Sequence, residues 1–352
     1  MTAAVPPSTQ RHTHVSGLHA VASALDDLHR DAIREAGAES TQVRLSVLNI
    51  VAACNDAALI EGAIDSVVTV AERHPARAIV IHADRTRAQM IESDISLRRS
   101  PAGSYIELVR LEIGGEPALH LTSIVQPLLI PDIPVHLWVV GAPPLDQAFN
   151  ADAVSLNDRL ILDSAAFDDT TATLQLIAGS LERYGPALQL SDMAWERMRP
   201  WREAVAHAFN GPAVRDWLRD ITGVDIVSVG TRSAPEAWLF AGWLASRLGW
   251  SDAHMPDITM STVPQHEGID LGLVHCRIRC RRGRHDARID VEQRGGVLRT
   301  DIDIDAGVVA SRAVIPRRVD DGLLIARLMA ETDDDVVYRQ VVARAAAMAA
   351  HG

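Results

Sequence analysis

Apolar positions in the first half of the chain follow two alternating rhythms. Val43–Ala53 (V-R-L-S-V-L-N-I-V-A-A) is almost continuously apolar, the pattern of a strand buried on both faces. Ile60, Ile64, Val67, Val68 and Ala71 then recur at helical spacing, behind the cap residues Asn55 and Asp56 and ahead of a stop at His74-Pro75. Arg77–His82 reads as a second strand, which completes a β-α-β unit and predicts a parallel sheet. Ile91–Leu97 and Tyr105–Ile113 alternate as strands. A turn at Gly114–Pro117 leads to a helix carrying Leu121, Ile124, Val125 and Leu128. Val135–Val140 and Arg159–Leu162 are further strands, and Thr170–Arg183 a further helix. Leu18–Ala36 reads as a first helix ended by Gly37, with residues 1–16 as a solvated tail.

The rhythm changes at Ser191–Glu203, S-D-M-A-W-E-R-M-R-P-W-R-E. Of seven tryptophans only Trp138 precedes this stretch; the other six lie between Trp195 and Trp250. Pro200 suits the first turn of a helix. Trp201, Ala204, Val205, Ala208 and Phe209 form its stripe, and Asn210-Gly211-Pro212 its stop. Beyond lie a short helix at Ala213–Asp220, a strand at Val224–Val229 and a helix at Ala234–Leu248. Leu271–Arg282, Asp286–Arg294 and Val297–Asp305 read as three antiparallel strands joined at Gly283 and Gly295-Gly296. Helices near Asp321–Ala330 and Asp334–Ala349 end the chain. The expected architecture is an α/β domain with a mostly parallel, three-layer sheet over 40–190, after a tail and first helix over 1–39. A Trp-rich α+β domain with an antiparallel sheet follows over 191–352.

Composition removes several classes of function. A net charge of −12 argues against a general nucleic-acid binder. No apolar run is long enough to span a membrane, and Met1–His19 lacks the apolar core of a secretory signal, so a cytoplasmic protein is expected. The chain has no lysine: all 34 cationic residues are arginine. That excludes a Walker A lysine, a kinase ATP-binding lysine and a pyridoxal phosphate Schiff base. Cys54, Cys276 and Cys280 do not make a disulfide framework, because Cys276 and Cys280 stand about 13 Å apart along one strand face.

Candidate chemistry is sparse. The loop after the first buried strand is A-A-C-N-D-A, and no G-x-G-x-x-G, G-x-S-x-G or H-E-x-x-H occurs. Asp301, Asp303 and Asp305 share a strand face but lie about 6.6 Å apart at each step, too far to share a cation. His12, His14 and His19 have no completing ligand in the tail. No catalytic residue, cofactor site or metal site is read. Two surfaces are candidate partner contacts. One is the seam, with Trp195, Arg197, Arg199, Trp201 and Arg202, read as structural first. The other is the arginine strand, with Arg277, Arg279 and Arg281 on one face, read as an electrostatic contact.

Four stretches carry a resemblance: His74–Ile81 (H-P-A-R-A-I-V-I), Pro127–Trp138 (P-L-L-I-P-D-I-P-V-H-L-W), Ser191–Glu203, and Trp238–Trp250 (W-L-F-A-G-W-L-A-S-R-L-G-W). In this order they resemble the glucose-6-phosphate dehydrogenase assembly protein family, OpcA, from about residue 40 onward. The resemblance implies a non-catalytic accessory protein that promotes assembly and activation of the oligomeric dehydrogenase opening the oxidative pentose phosphate pathway. The implied partner is that dehydrogenase, with no nucleic acid and no membrane. Redox control through cysteines, linked to some cyanobacterial relatives, finds no matching motif at Cys54, Cys276 or Cys280. The alternative is an α/β enzyme or sugar-phosphate binder with its site at Arg159, Asp163 and Ser164, near the end of a predicted strand.

Overall fold

A computed structural model describes residues 11–36, 46–100, 105–143, 149, 151–211, 214–230, 234–266, 272–316, 320–331 and 334–351. Expectations for residues 1–10, Gly37, Val43–Leu45, Pro212, Ala213 and Leu271 fall outside them. The chain forms two compact units from discontinuous stretches. One comprises Met1–Asp163, Pro186–Ser191 and Val319–Asp334; the other Ser164–Gly185, Asp192–Arg318 and Asp335–Gly352. The helix at Thr170–Tyr184 therefore groups with the C-terminal stretch, and that at Asp321–Ala330 with the N-terminal one.

The first unit carries β1 (Arg11–Ser16), α1 (His19–Ala36), β2 (Leu48–Cys54), α2 (Ile60–Arg73), β3 (Ala76–Asp84), β4 (Met90–Arg99) and β5 (Tyr105–Gly114). There follow α3 (Leu121–Val125), β6 (Val135–Val139), α4 (Ala151–Leu156), β7 (Arg159–Leu162) and β8 (Leu190–Asp192), at whose end the chain leaves the unit. The sheet order is β1-β4-β5-β3-β2-β6-β7-β8. β5, β3, β2, β6 and β7 run parallel, while β4 and β1 add antiparallel at one edge. The continuous apolar runs explain the parallel centre: Ile50, Val51 and Ala52 of β2 and Ile79, Val80 and Ile81 of β3 are all buried. Val21, Leu25 and Leu28 of α1 join Ile79, Ile95, Val109 and Leu111 in one core. One expectation is corrected here. Arg11–Ser16 is not tail but an edge strand paired with β4, because Glu92 and Asp94 face its histidines: His14 lies 3.1 Å from Glu92 and 2.9 Å from Asp94.

The second unit carries α5 (Thr170–Tyr184), α6 (Met193–Arg197), α7 (Arg199–Asn210), β9 (Ile221–Val229), α8 (Pro235–Leu248), β10 (Asp257–Val263), β11 (Gly272–Arg282), β12 (His285–Arg294), β13 (Val297–Ile304), β14 (Gly307–Val314) and α10 (Val336–Ala349). The helix α9 (Asp321–Ala330) belongs to the first unit, where it packs on α2. The six-stranded sheet has the order β10-β9-β11-β12-β13-β14. It is mixed rather than antiparallel throughout, since β9 and β10 pair parallel, with α8 between them in the chain as a crossover must be. Cys276, Ile278, Cys280, Ile289 and Val291 point into the core, where α7 lies against β12 and β13 and α8 against β9 and β11.

Candidate functional site

The Ser191–Glu203 stretch is buried architecture. Asp192 starts α6 by accepting from the Ala194 amide at 3.0 Å with the same Oδ1 that accepts from the Ser164 amide. Its other oxygen accepts from the buried Tyr338 hydroxyl at 2.9 Å. Burial, before the neighbouring Asp192 charge, raises the Tyr338 pKa well above its ordinary value, so the phenol stays a donor. Trp195 is 4% exposed; its indole N–H donates to Asp335 at 2.8 Å, and Asp335 in turn caps α10. The Arg202 guanidinium stacks on the Trp195 ring at 3.4 Å. Burial pulls the Arg202 pKa down to about 10. Arg199 pairs with buried Glu196 and Arg197 with buried Glu236, and Trp201 lies in the core. Asp192, Asp335 and Tyr338 were not read from the sequence. Their only signal is an aspartate one residue ahead of each of two helices.

Arg277, Arg279 and Arg281 do share one face, opposite the core, but as members of a charge lattice. Arg277 lies 2.7 Å from Asp290, Arg279 3.0 Å from Asp225 and Arg281 2.9 Å from Asp286. On the next strands Arg288 pairs with Asp290 and Asp303, Arg299 with Asp301, and His285 with Asp305. Strand register builds this, setting Arg277 between Asp225 and Asp290. Gly223, opposite Arg279, lets the guanidinium lie flat, since a Cβ there would meet its Nη2 at 2.5 Å. Asp301, Asp303 and Asp305 are thus counterions of this lattice. Among the described residues no histidine, cysteine and carboxylate group has metal-binding geometry.

Arg159, Asp163 and Ser164 do not assemble into a site. Arg159 opens β7 and Asp163 follows its end, about 13 Å apart along an extended chain. The Arg159 guanidinium donates to Ser191 Oγ at 2.8 Å, Gln189 Oε1 at 3.2 Å and the Glu331 carbonyl at 2.7 Å, which makes it a buried structural anchor. The three thiols are buried, and desolvation raises Cys54 to about 11 and Cys280 to about 12, far from a reactive thiolate.

A crevice in the first unit lies at the carboxyl ends of β2, β3 and β6. There the chain reverses direction across the sheet, the place where open α/β sheets bind ligands. The cavity is about 370 Å³, with Val51 and Leu137 in its wall and Asn55, Asp84 and Thr86 at its rim. The Thr86 hydroxyl and amide hold the Asp84 carboxyl below the usual carboxylate range. The loop that follows β2 is closed by its own contacts. The Asp56 carboxylate accepts the Ala58 amide at 2.9 Å, and the Leu59 side chain sits where a Cβ on Gly141 would stand 2.5 Å away.

Two family models match this chain. The glucose-6-phosphate dehydrogenase subunit N-terminal domain covers residues 67–179, and the C-terminal domain of the same subunit covers 188–342. A putative OxPP cycle protein OpcA from Synechocystis is 24% identical over 189 residues, 52% of this chain and 39% of the relative. One from Nostoc punctiforme is 26% identical over 187 residues, 51% of this chain and 39% of the relative. Each match therefore spans about two-fifths of the curated relative. Solved dehydrogenases superpose loosely. One from Chromobacterium violaceum gives a TM-score of 0.43 at 10% identity, covering 86% of this chain and 94% of its own. Scyllo-inositol dehydrogenase from Lactobacillus casei gives 0.40 at 11%, with the same coverage. Likeness that loose carries no argument. The two domain models, in order along the chain, and the OpcA relatives agree: this chain belongs to the OpcA family of glucose-6-phosphate dehydrogenase assembly proteins.

Proposed function

We propose that this chain is a non-catalytic accessory protein of the cytoplasm that promotes assembly and activation of oligomeric glucose-6-phosphate dehydrogenase. The observation that carries the reading is the succession of the two dehydrogenase-subunit domain models over residues 67–179 and 188–342. The loop after β2, A-A-C-N-D-A, supports it: it has no glycine to let backbone amides approach a nucleotide's phosphates. The lack of lysine supports it too. A protein that binds only the assembled dehydrogenase shifts its equilibrium toward that form by mass action. Within this reading Arg277, Arg279 and Arg281 steer encounter, while Trp195, Arg197, Arg199, Trp201 and Arg202 hold the fold that presents the docking surface.

The test is dehydrogenase activity as a function of its own subunit concentration, with and without the purified chain. Activation is expected to be largest at the lowest dehydrogenase concentration. The chain alone is expected to turn over no sugar phosphate and reduce no nicotinamide cofactor. Turnover by the chain alone, or activation independent of dehydrogenase concentration, would contradict the reading.

A further inference from the structure

β14 is an edge strand that breaks the rule the other edges follow. An open edge offers unpaired backbone N–H and C=O groups to any passing strand, so edges are ordinarily short, charged or covered. β1 carries Arg11, and its His12 and His14 meet Asp94 and Glu92. β8 is three residues long. β10 carries Asp257 and a row of hydroxyls at Thr259, Ser261 and Thr262. β14, G-V-V-A-S-R-A-V, is eight residues long with one charge, and every residue in it is exposed. Val308, Val309, Val314 and the following Ile315 are 69%, 49%, 42% and 78% exposed.

Beside this edge lies an apolar groove of about 400 Å³. Pro200, Ala204 and Ala208 of α7 form one wall; Leu298 and Ile302 of β13 form the floor, which Ala310 and Val314 extend onto β14. α7 covers β12 and β13, so the inner face of β14 is left open. Arg312 lines the groove, as do Glu203 and His207 on the α7 side, and among the described residues no ion pair within 4 Å holds it. The outer face of β14 continues the charge lattice, since Ser311 stands opposite Asp301 and bonds to its carboxylate.

We propose that β14 and this groove are the anchoring surface for the dehydrogenase, which adds an extended segment to the sheet as a seventh strand. This rests on the accessory reading above. Three features specify the occupant. The free edge calls for an extended backbone that supplies matching N–H and C=O groups. The groove calls for apolar side chains at alternate positions of that segment, those on its inner face. Arg312 calls for a carboxylate opposite it. A second copy of this chain fits less well. Twofold antiparallel pairing of β14 with itself sets the two Arg312 side chains on one face, about 7–10 Å apart, with no acid between them. The net charge of −12 on each copy adds repulsion. The neighbouring lattice keeps the guanidiniums of Arg277, Arg279 and Arg281 at the surface and guides approach; the edge holds the partner.

The experiment uses purified dehydrogenase and the full chain, with binding measured by titration and amide hydrogen exchange followed in the complex. Slowed exchange over Gly307–Val314 is expected on binding. Ala310→Glu is expected to weaken binding tenfold or more, and Arg312→Glu by a similar factor. The exposed positions leave thermal unfolding unchanged in both variants. The triple variant Arg277→Ala, Arg279→Ala, Arg281→Ala is expected to keep the equilibrium affinity within a few-fold and to slow association. Wild-type binding with no protection of β14, and full binding by Ala310→Glu, overturns the docking site and leaves the accessory role standing. No binding by the wild type overturns both. Sedimentation of the chain alone as a dimer that Ala310→Glu dissociates assigns the edge to a second copy instead, and overturns the occupant.

Discussion

The two sheets of this molecule use the same guanidinium on opposite terms. In the eight-stranded sheet Arg77 is buried: it donates to Glu107 at 2.6 Å and to the Leu128 carbonyl at 2.6 Å, and His29 meets the other Glu107 oxygen at 2.8 Å. On the outer face of the six-stranded sheet Arg281 meets Asp286 at a similar distance, 2.9 Å, but both side chains are about two-thirds exposed, at 68% and 64%. A buried charge that loses its partner has no water to turn to, whereas an exposed one is solvated at once. A salt bridge therefore means stability in one sheet and surface character in the other. The same contrast separates the Trp195–Arg202 seam from the arginine strand.

The largest effects are expected where a buried group loses its partner. Glu107→Ala strands Arg77 and is expected to cost about 3–5 kcal/mol in denaturant unfolding. A cost below about 1 kcal/mol would erase the distinction between the sheets. Trp195→Ala removes a buried indole and its bond to Asp335, with an expected loss of about 3–5 kcal/mol in the same measurement. A loss near zero would make Trp195 a surface group.

His136 tests the same contrast by pH. Burial first, then the Arg159 charge, lowers its pKa from 6.5 to about 4. Between those values the unfolded chain takes up a proton that the folded chain refuses. The stabilising contribution is therefore whole above pH 6.5 and is lost as pH falls toward 4, by up to about 3 kcal/mol. Comparing wild type with His136→Gln across pH 4–7 isolates it. The variant is expected to show a flatter acid limb, and parallel limbs would contradict the assignment. The smallest effect is expected for Arg277→Ala, Arg279→Ala and Arg281→Ala together, since exposed pairs are solvated on both sides of the unfolding transition. That variant should unfold near the wild-type midpoint at 0.5 M salt, a concentration at which exposed pairs are screened.

What the sequence told in advance followed burial. β2, β3 and β6 were legible because a strand covered on both faces leaves a continuous apolar run, and α2 because its stripe keeps one period. β1 was not: in R-H-T-H-V-S only Val15 is apolar, and what makes it a strand is Glu92 and Asp94 on β4. β10 carries a readable alternation, with Ile258 and Met260 between polar residues, yet its parallel pairing depends on α8 crossing over. β14 shows no alternation, because both of its faces are exposed. Alternation put Arg277, Arg279 and Arg281 on one face, and Asp301 and Asp303 on another. Their neutralisation through Asp225, Asp286 and Asp290 appeared only with register. Arg159 opens β7 and Asp163 follows its end, and the Arg159 guanidinium goes to Ser191, Gln189 and the Glu331 carbonyl, partners that alternation along one strand does not show.

The accessory role is tested most directly by sedimentation of the dehydrogenase, diluted until its oligomer dissociates, before and after addition of this chain. The expected result is recovery of the oligomer in a larger species that contains the chain, in step with recovered activity. A dehydrogenase that sediments unchanged while the chain sediments separately would contradict the account.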